Sequence, residues 1–416
     1  MTRPLFSQNI ESALAVVERK TFDAWAVKAS AAAERIAKAP TPEMTAMFRL
    51  PAQVDDLAEI ESIGTSIAEN YTTLVVVGMG GSSLGGETLA CLRKQGGLQL
   101  HFVDNIDPLT VALLVESLPW KTTAFLIVSK SGTTIETLAL LAVLLREAKA
   151  RGANVGKAFT VITMPNDNPT HRIAKEHGMR VVAHDKDLCG RFSILSPIGL
   201  IPAAAVGVDI RSLRAGAHIT LAENMRGGLA AAGEVAALHM ALREKNIAMH
   251  VMMHYCDRFG GLLLWHRQCW AESLGKDGHG TTPIRSRGVT DQHSQLQLYL
   301  EGPRDKFFTS LVLDMAGQGA SIGFDSGDEG LAYLNGHTLG DLSMAEQRAT
   351  NATLIAAGCP VRTITCATLD ETVLGALLMH FTFEVTLSAA LMGVNAFNQP
   401  AVEAGKKLAL DYLAGK

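Results

Sequence analysis

The residues from Gln268 to Gln295 hold the densest group of side chains able to move protons. A carboxylate at Glu272, an imidazole at His293 and the amide of Gln268 lie within about 25 residues and could supply a base, an acid and orienting hydrogen bonds. Two of them also have an ordinary structural interpretation, a solvated helix carboxylate for Glu272 and a capped helix-start residue for His293. Their proximity in sequence is what favours a proton-transfer site.

A second group, from Ser129 to Thr134, contains four hydroxyls, one Lys and one Gly. It follows an apolar run and precedes a segment with a helical pattern, where hydroxyl and backbone N–H donors can surround a phosphate. Helix N-capping is the alternative, but capping accounts for one or two of the hydroxyls and not for four. The pattern therefore favours a phosphomonoester ligand.

The third group is the glycine-rich turn from Gly78 to Gly86, which includes Ser82 and Ser83. Glycine lets backbone N–H groups approach an anion, and the helix that follows favours negative charge at its start. A sugar or phosphate cradle, a dinucleotide site and a turn needed only for packing all remain open. The spacing differs from G-x-G-x-x-G, and no acidic residue stands out for a ribose.

Neither a nucleotide-phosphate loop nor a metal site is indicated. The motif G-x-x-x-x-G-K-[ST] is missing from the sequence. His250 and His254 lie four residues apart, but they fall in an apolar, strand-like run without a nearby carboxylate, which favours structural roles. We therefore expect no metal.

These groups need a scaffold, and the sequence predicts an α/β fold. Five apolar, β-branched runs, each followed by a helical pattern, predict a mostly parallel sheet buried on both faces. Residues 8–38 show helical periodicity, and residues 190–245 are mainly helical in pattern. Three further strand candidates follow residue 245. The eight strand candidates read TLVVVGMG, LQLHFVDN, TAFLIVSKSG, AFTVITMP, MRVVAHD, NIAMHVMMHY, KFFTSLVLDM and PVRTITCAT. The chain is thus expected to hold two α/β units.

Composition excludes several other classes of protein. The chain has 416 residues, 48% of them hydrophobic and 19% charged, which is typical of a globular protein and not of a disordered one. A net charge of −4 without a basic run argues against nucleic acid or a membrane surface as partner. The longest apolar stretch, Ile198 to Val208, is too short for a membrane span. Six scattered cysteines and a start without a signal-peptide core predict reduced thiols and a cytoplasmic location.

Six short motifs follow one another along the sequence. They are GMGGSSLGG at 78–86, SKSGTTIET at 129–137, GRFSILSPIGL at 190–200, ESLGK at 272–276, DQHSQLQ at 291–297 and QPAVEAGKK at 399–407. Together they make the sequence resemble the glucose-6-phosphate isomerase (phosphoglucose isomerase) family. The resemblance implies two sugar-isomerase (SIS) domains, each a mostly parallel sheet flanked by helices. We expect a helical arm at 1–45, SIS domains at 46–225 and 226–385, and a C-terminal helical segment at 386–416 that completes the site.

The resemblance also implies roles for individual residues. Glu272 would move a proton between C1 and C2 of the sugar, and Arg191 would stabilise the cis-enediolate, although a surface ion pair is the alternative for Arg191. His293 and Lys406 would open the sugar ring, although Lys406 also suits an exposed helix. Further matches predict the sugar and phosphate pocket at Gly81, Ser82, Ser129, Lys130, Ser131, Thr134, Gln268 and Gln399.

The implied activity is reversible conversion of glucose 6-phosphate into fructose 6-phosphate, in glycolysis and gluconeogenesis, without metal or organic cofactor. The implied partner is a second copy of the chain, whose histidine completes the site. Two positions depart from the family pattern, Leu274 in place of Asn and Ala401 in place of Gly. A non-catalytic SIS regulator that binds a sugar phosphate, and an isomerase with a broader range of hexose phosphates, remain as alternatives.

Overall fold

Two five-stranded sheets organise the protein, which we describe from a computed structural model covering residues 4–226, 228–324 and 328–415. The strands are β1 (Ser7–Asn9), β2 (Thr73–Val77), β3 (Gln99–Val103), β4 (Thr123–Val128), β5 (Phe159–Thr163), β6 (Arg180–Ala183), β7 (Met249–His254), β8 (Thr282–Arg287), β9 (Lys306–Leu313) and β10 (Val361–Cys366). Helices flank both sheets, which confirms the predicted fold class.

The α-helices begin with α1 (Glu11–Leu14), α2 (Arg19–Lys38), α3 (Pro42–Arg49), α4 (Leu57–Asn70), α5 (Gly81–Leu89), α6 (Pro108–Ser117), α7 (Ile135–Ala150), α8 (Val155–Ala158) and α9 (Pro169–Glu176). They continue with α10 (Pro197–Ala205), α11 (Ile210–Met225), α12 (Ala231–Arg243), α13 (Gly260–Leu274), α14 (Leu296–Glu301), α15 (Leu339–Ala356), α16 (Glu371–Met392) and α17 (Glu403–Leu413). Several 3₁₀ turns, among them Gly190–Phe192 and Thr290–His293, lie between them.

The first sheet has the strand order β3-β2-β4-β5-β6, with every pair parallel. Strands β2, β4 and β5 are buried along their whole length, because helices cover both faces. All five apolar runs predicted as strands are confirmed in this sheet. The turns that begin at Gly78 and Ser129 follow the carboxyl ends of β2 and β4. Both turns predicted to bind a ligand therefore lie at the carboxyl end of the parallel sheet.

The second sheet has the order β1-β10-β9-β7-β8, and only β1 pairs antiparallel. The sequence predicted β7, β9 and β10 but missed two strands. Strand β8 begins at Thr282 and includes Pro283 and two arginines, so its pattern lacks the expected apolar run. The predicted helix from residue 8 is wrong at its start, because Ser7–Asn9 pairs with Thr363–Thr365 instead.

Helices α11 and α16 pack closely in the core because glycines face backbone at their crossing. A Cβ on Gly375 would lie 1.9 Å from the Leu213 carbonyl oxygen, and one on Gly216 would lie 1.9 Å from the Thr372 carbonyl oxygen. Helix α16 is long and apolar enough to cross a membrane by length and composition, but most of it is buried within the protein. Helix α16 also continues without a break across residues 385 and 386, where the sequence predicted a boundary between two parts of the chain. The division of the chain into four parts stays a prediction.

A buried polar network lies beneath α13. Arg362 donates to Glu384 over 2.9 Å, and the Glu384 carboxylate also lies 3.1 Å from Nε2 of His239. His239, His250 and His266 all pack against the ring of Trp270 on α13. The network therefore supports the helix that carries Gln268 and Glu272.

The two histidines singled out in the sequence have separate partners. Nε2 of His250 lies 2.9 Å from the Thr309 hydroxyl, and Nδ1 of His254 lies 2.8 Å from the Cys256 carbonyl oxygen. Across the part of the chain that the structure describes, no three His, Cys, Asp or Glu side chains form a group able to hold a metal ion.

Candidate active site

Helix α13 presents Gln268 and Glu272 on one face, since residues four apart lie one turn above each other. The Gln268 side chain donates from Nε2 to Oε1 of Glu272 over 2.9 Å. Glu272 keeps 33% of its side chain exposed. The carboxylate is therefore held in place and still open to a ligand.

Arg191 reaches the same carboxylate from the turn at Gly190–Phe192, and its side chain is almost fully buried. All five of its N–H groups donate, which exhausts the capacity of a guanidinium. Nε donates to Ser273 Oγ (2.9 Å), Nη1 to Glu272 Oε2 (2.7 Å) and Gln399 Oε1 (3.0 Å), and Nη2 to the carbonyls of Ala396 (2.6 Å) and Asn398 (3.2 Å). One guanidinium thus joins α13 to the segment 396–399 that follows α16.

A cavity of about 810 Å³ opens beside this cluster. Its walls include Glu272 near the end of α13, Lys276 just after that helix, and Gln399, Pro400 and Ala401 from the C-terminal segment. The volume lies within the usual range for a small-molecule site. A carboxylate on its wall can therefore meet a ligand of sugar-phosphate size.

The turn from Ser129 to Thr134 connects β4 to α7 and is closed by its own hydroxyls. Ser129 Oγ lies 3.1 Å from Thr134 Oγ1 and accepts the Gly132 N–H, and Ser131 Oγ accepts from the N–H of Thr133. Thr134 is the N-cap of α7, but its side chain makes no capping bond. The first N–H groups of α7 are thus not capped by that hydroxyl, which is the arrangement in which a helix start can bind an anion.

Both turns predicted to bind a ligand, the one at Ser129–Thr134 and the one that begins at Gly78, lie close to the chain around Arg191. Lys130 Nζ donates to the Leu188 carbonyl over 2.8 Å, and burial lowers the pKa of this ammonium. A Cβ on Gly81 would lie 2.4 Å from the Gly190 carbonyl oxygen, so only glycine lets α5 start so close to the arginine turn. Ser82 is half-buried in the first turn of α5, beside Gly81.

Comparison with known proteins shows which family the chain belongs to. The family model described as "Phosphoglucose isomerase" matches residues 7–256. A glucose-6-phosphate isomerase from Rubrobacter xylanophilus is 38% identical over 380 residues, covering 87% of each chain. This chain belongs to the phosphoglucose isomerase family.

Solved structures share the fold over nearly the whole chain. A hypothetical protein from Thermus thermophilus has a TM-score of 0.90 at 31% identity and covers 98% of this chain and 100% of its own. A glucose-6-phosphate isomerase from Chlamydia trachomatis has a TM-score of 0.80 at 18% identity and covers 99% of this chain and 89% of its own. The second likeness concerns the fold alone.

The two positions expected to depart from the family pattern lie in different surroundings. Leu274 is fully buried in the hydrophobic core and does not line the cavity. Ala401 does line it, next to Gln399 and Pro400. Of the two, Ala401 is the one placed to affect a ligand directly.

Two residues matched to the family's ring-opening pair lie outside the cavity. His293 is exposed in the 3₁₀ turn Thr290–His293 after β8. Lys406 lies on α17, 62% exposed, with its ammonium 2.8 Å from Glu403. Within the described residues, no hydrogen bond or ion pair joins either side chain to Glu272 or Arg191. A single chain therefore assembles Arg191, Gln268, Glu272 and Gln399 but not the complete predicted set.

Sequence reasoning assigned no role to Ser273 and Lys276, which both contact the site. Ser273 Oγ accepts from Arg191, and Lys276 Nζ donates to the Glu272 carbonyl over 2.6 Å. The position of Lys276 just beyond the end of a helix was an available signal, because basic side chains often bind the last carbonyls there.

Proposed function

We propose that the chain is a glucose-6-phosphate isomerase that interconverts glucose 6-phosphate and fructose 6-phosphate through a cis-enediolate. The observation that carries the proposal is the Glu272 carboxylate, fixed by Gln268 and Arg191 on the wall of an open cavity. The Rubrobacter xylanophilus relative, named glucose-6-phosphate isomerase, supports the substrate. The enzyme would act in glycolysis and gluconeogenesis, and its composition and free cysteines support a cytoplasmic location.

Glu272 is the proposed base for both proton transfers. It takes the proton from C2 of the open-chain aldose, and the electron pair of that C–H bond forms the C1=C2 double bond while charge moves to O1. The same carboxyl group then returns the proton to C1, and the O2 proton is transferred to O1, which gives the ketose. One carboxylate suffices because it can accept and return the same proton.

Arg191 is proposed to stabilise the charge on the enediolate oxygens. Its five N–H groups are already in use, so it acts through its charge or by exchanging one partner for the substrate. Gln399 is the partner best suited to exchange, since its side chain lines the cavity and is neutral. A donor aimed at such an oxyanion is worth about 10²- to 10³-fold in kcat.

The phosphate is proposed to bind at the turn 129–134, with Lys130 and the start of α7 balancing its charge. Gly81 and Ser82 would face the sugar from the start of α5, and Gln268 and Gln399 would hold its hydroxyls. The uncapped start of α7 and the adjacent ammonium support this assignment.

We further propose a homodimer in which the partner subunit's His293 completes each site and works with Lys406 in ring opening. The exposed His293, separate from its own chain's Glu272, supports this arrangement. Mixing Glu272→Gln and His293→Ala chains would test it, because a mixed dimer would hold one intact site. About a quarter of wild-type activity is expected after random mixing of subunits, and none if each chain uses its own histidine.

The Glu272→Gln variant tests the function itself. We expect kcat to fall by about 10²- to 10⁴-fold, because the amide cannot take the C2 proton while its size and hydrogen-bonding atoms stay similar. The assay measures conversion of fructose 6-phosphate to glucose 6-phosphate. Wild-type protein that binds the sugar phosphate without converting it would favour the regulator, and turnover of other hexose phosphates would favour the broader isomerase.

A further inference from the structure

Lys276 follows the helix that carries Glu272, and its side chain turns back onto that helix. Its ammonium donates to the carbonyl of Glu272 over 2.6 Å and to that of Ser273 over 2.8 Å. Both carbonyls belong to the last turn of α13, where the helix offers them no N–H partner. The lysine side chain therefore supplies the donors that a further turn of helix would have given.

The surroundings of the Lys276 ammonium disfavour its positive charge. Lys276 is half-buried on the cavity wall, and its positive charge is repelled by the Arg191 guanidinium. Burial, and then repulsion by Arg191, lower the pKa of Lys276 to about 8, while Cys189, Glu272 and Asp277 act in the opposite direction. A solvated surface lysine would keep its proton well above that pH.

We propose that Lys276 is a positioning residue for Glu272, whose backbone it holds by closing the last turn of α13, so that the carboxylate keeps its direction into the cavity. This inference rests on the function proposed above for Glu272. Arg191 and Gln268 fix the two carboxylate oxygens, and Lys276 fixes the main chain from which the side chain extends. Small displacements of a catalytic group lower the rate strongly, whereas substrate binding at the phosphate turn is unaffected.

The test compares Lys276→Met, which keeps the length of the side chain without its charge, with Lys276→Arg, which can still donate to both carbonyls. Lys38→Met is the matched control, because Lys38 lies in the last turn of α2 and is exposed. We expect Lys276→Met to lower kcat by about 10- to 100-fold with KM changed by less than about threefold. Lys276→Arg should restore most of kcat, and Lys38→Met should match wild type.

The pH profile gives a second readout that does not need the methionine variant to fold. Wild-type kcat should decline above about pH 8, because loss of the proton removes the charge that strengthens both hydrogen bonds to the carbonyls, and Lys276→Arg should keep its activity into more alkaline solution. The proposal is overturned if Lys276→Met keeps kcat within twofold of wild type, or if the wild type and Lys276→Arg lose activity at the same pH. Failure of the proposed function would show separately, as a Glu272→Gln variant that stays active.

Discussion

Replacing Arg191 by lysine keeps the positive charge but leaves too few donors for the partners that Arg191 now serves. A lysine ammonium has three N–H donors on one atom, whereas the guanidinium uses five in a planar fork. At least two of the five acceptors around Arg191 would lose their donor. The bonds to Ser273 Oγ and the Ala396 carbonyl are the buried ones. Each buried acceptor left unsatisfied costs about 1 to 3 kcal/mol, so loss of both would lower the free energy of unfolding by about 2 to 6 kcal/mol.

Loss of activity should be graded between two variants. Arg191→Lys retains the charge that we propose stabilises the enediolate, so we expect kcat to fall by about 10- to 100-fold, whereas Arg191→Met should lose about 10²- to 10³-fold or more. A coupled assay that detects glucose 6-phosphate measures kcat, and urea denaturation measures stability. Limited proteolysis reports whether segment 396–399 is released.

Arg214 offers a matched control. It is also buried, donates to the carbonyls of Leu195 and Gln53, and pairs with Asp56, away from the cavity. Arg214→Lys should lower stability by a similar amount and leave kcat unchanged. Equal kcat values for Arg191→Lys and Arg214→Lys would refute the proposed role of the guanidinium, and equal losses for Arg191→Lys and Arg191→Met would refute the role of its charge.

Three further predictions concern packing, pH and phosphate binding. Gly375→Ala should lower the free energy of unfolding by about 1 to 3 kcal/mol in urea, because its Cβ would meet the Leu213 carbonyl; Gly405→Ala, with no atom within 4 Å, should not. Burial lowers the pKa of His266 to about 4, so the stability this neutral histidine confers is complete above pH 6.5 and is lost as the pH falls toward 4. Between pH 7 and pH 5, His266→Phe should therefore lose about 2 kcal/mol less stability than wild type, and equal losses would contradict the assignment. Thr134→Val removes one hydroxyl from the proposed phosphate turn and should raise KM for fructose 6-phosphate by about 5- to 10-fold with little change in kcat. A fall in kcat at constant KM would place Thr134 in another role.

The sequence predicted the first sheet well because its three central strands, β2, β4 and β5, are continuous apolar runs that are buried along their whole length. It failed at β8, where Pro283 and the arginines interrupt the pattern, and at β1, where pairing with β10 overrides the local helical periodicity. Such pairing joins residues some 350 positions apart, and no local signal reports it.

Motif resemblance selected residues of the candidate site but not their hydrogen bonds. That Arg191 uses all five donors, three of them on segment 396–399, depends on how α16 ends and cannot be inferred from the spacing of residues. The separation of His293 from Glu272 could not be inferred from the sequence either, because it depends on where β8 joins the second sheet. Both facts follow from tertiary packing.

The pairing of β1 with β10 has a consequence for synthesis on the ribosome. Residues 7–9 emerge early, but the strand they complete, Val361–Cys366, is made only after most of the chain. All strands of the first sheet lie between residues 73 and 183 and can pair while translation continues. In the second sheet, by contrast, the edge of β9 stays unpaired until β10 has been translated. The residues of β1, which are translated first, are therefore among the last to pair. Slowing translation after residue 313, where β9 ends, would prolong the exposure of that edge and the time open to aggregation.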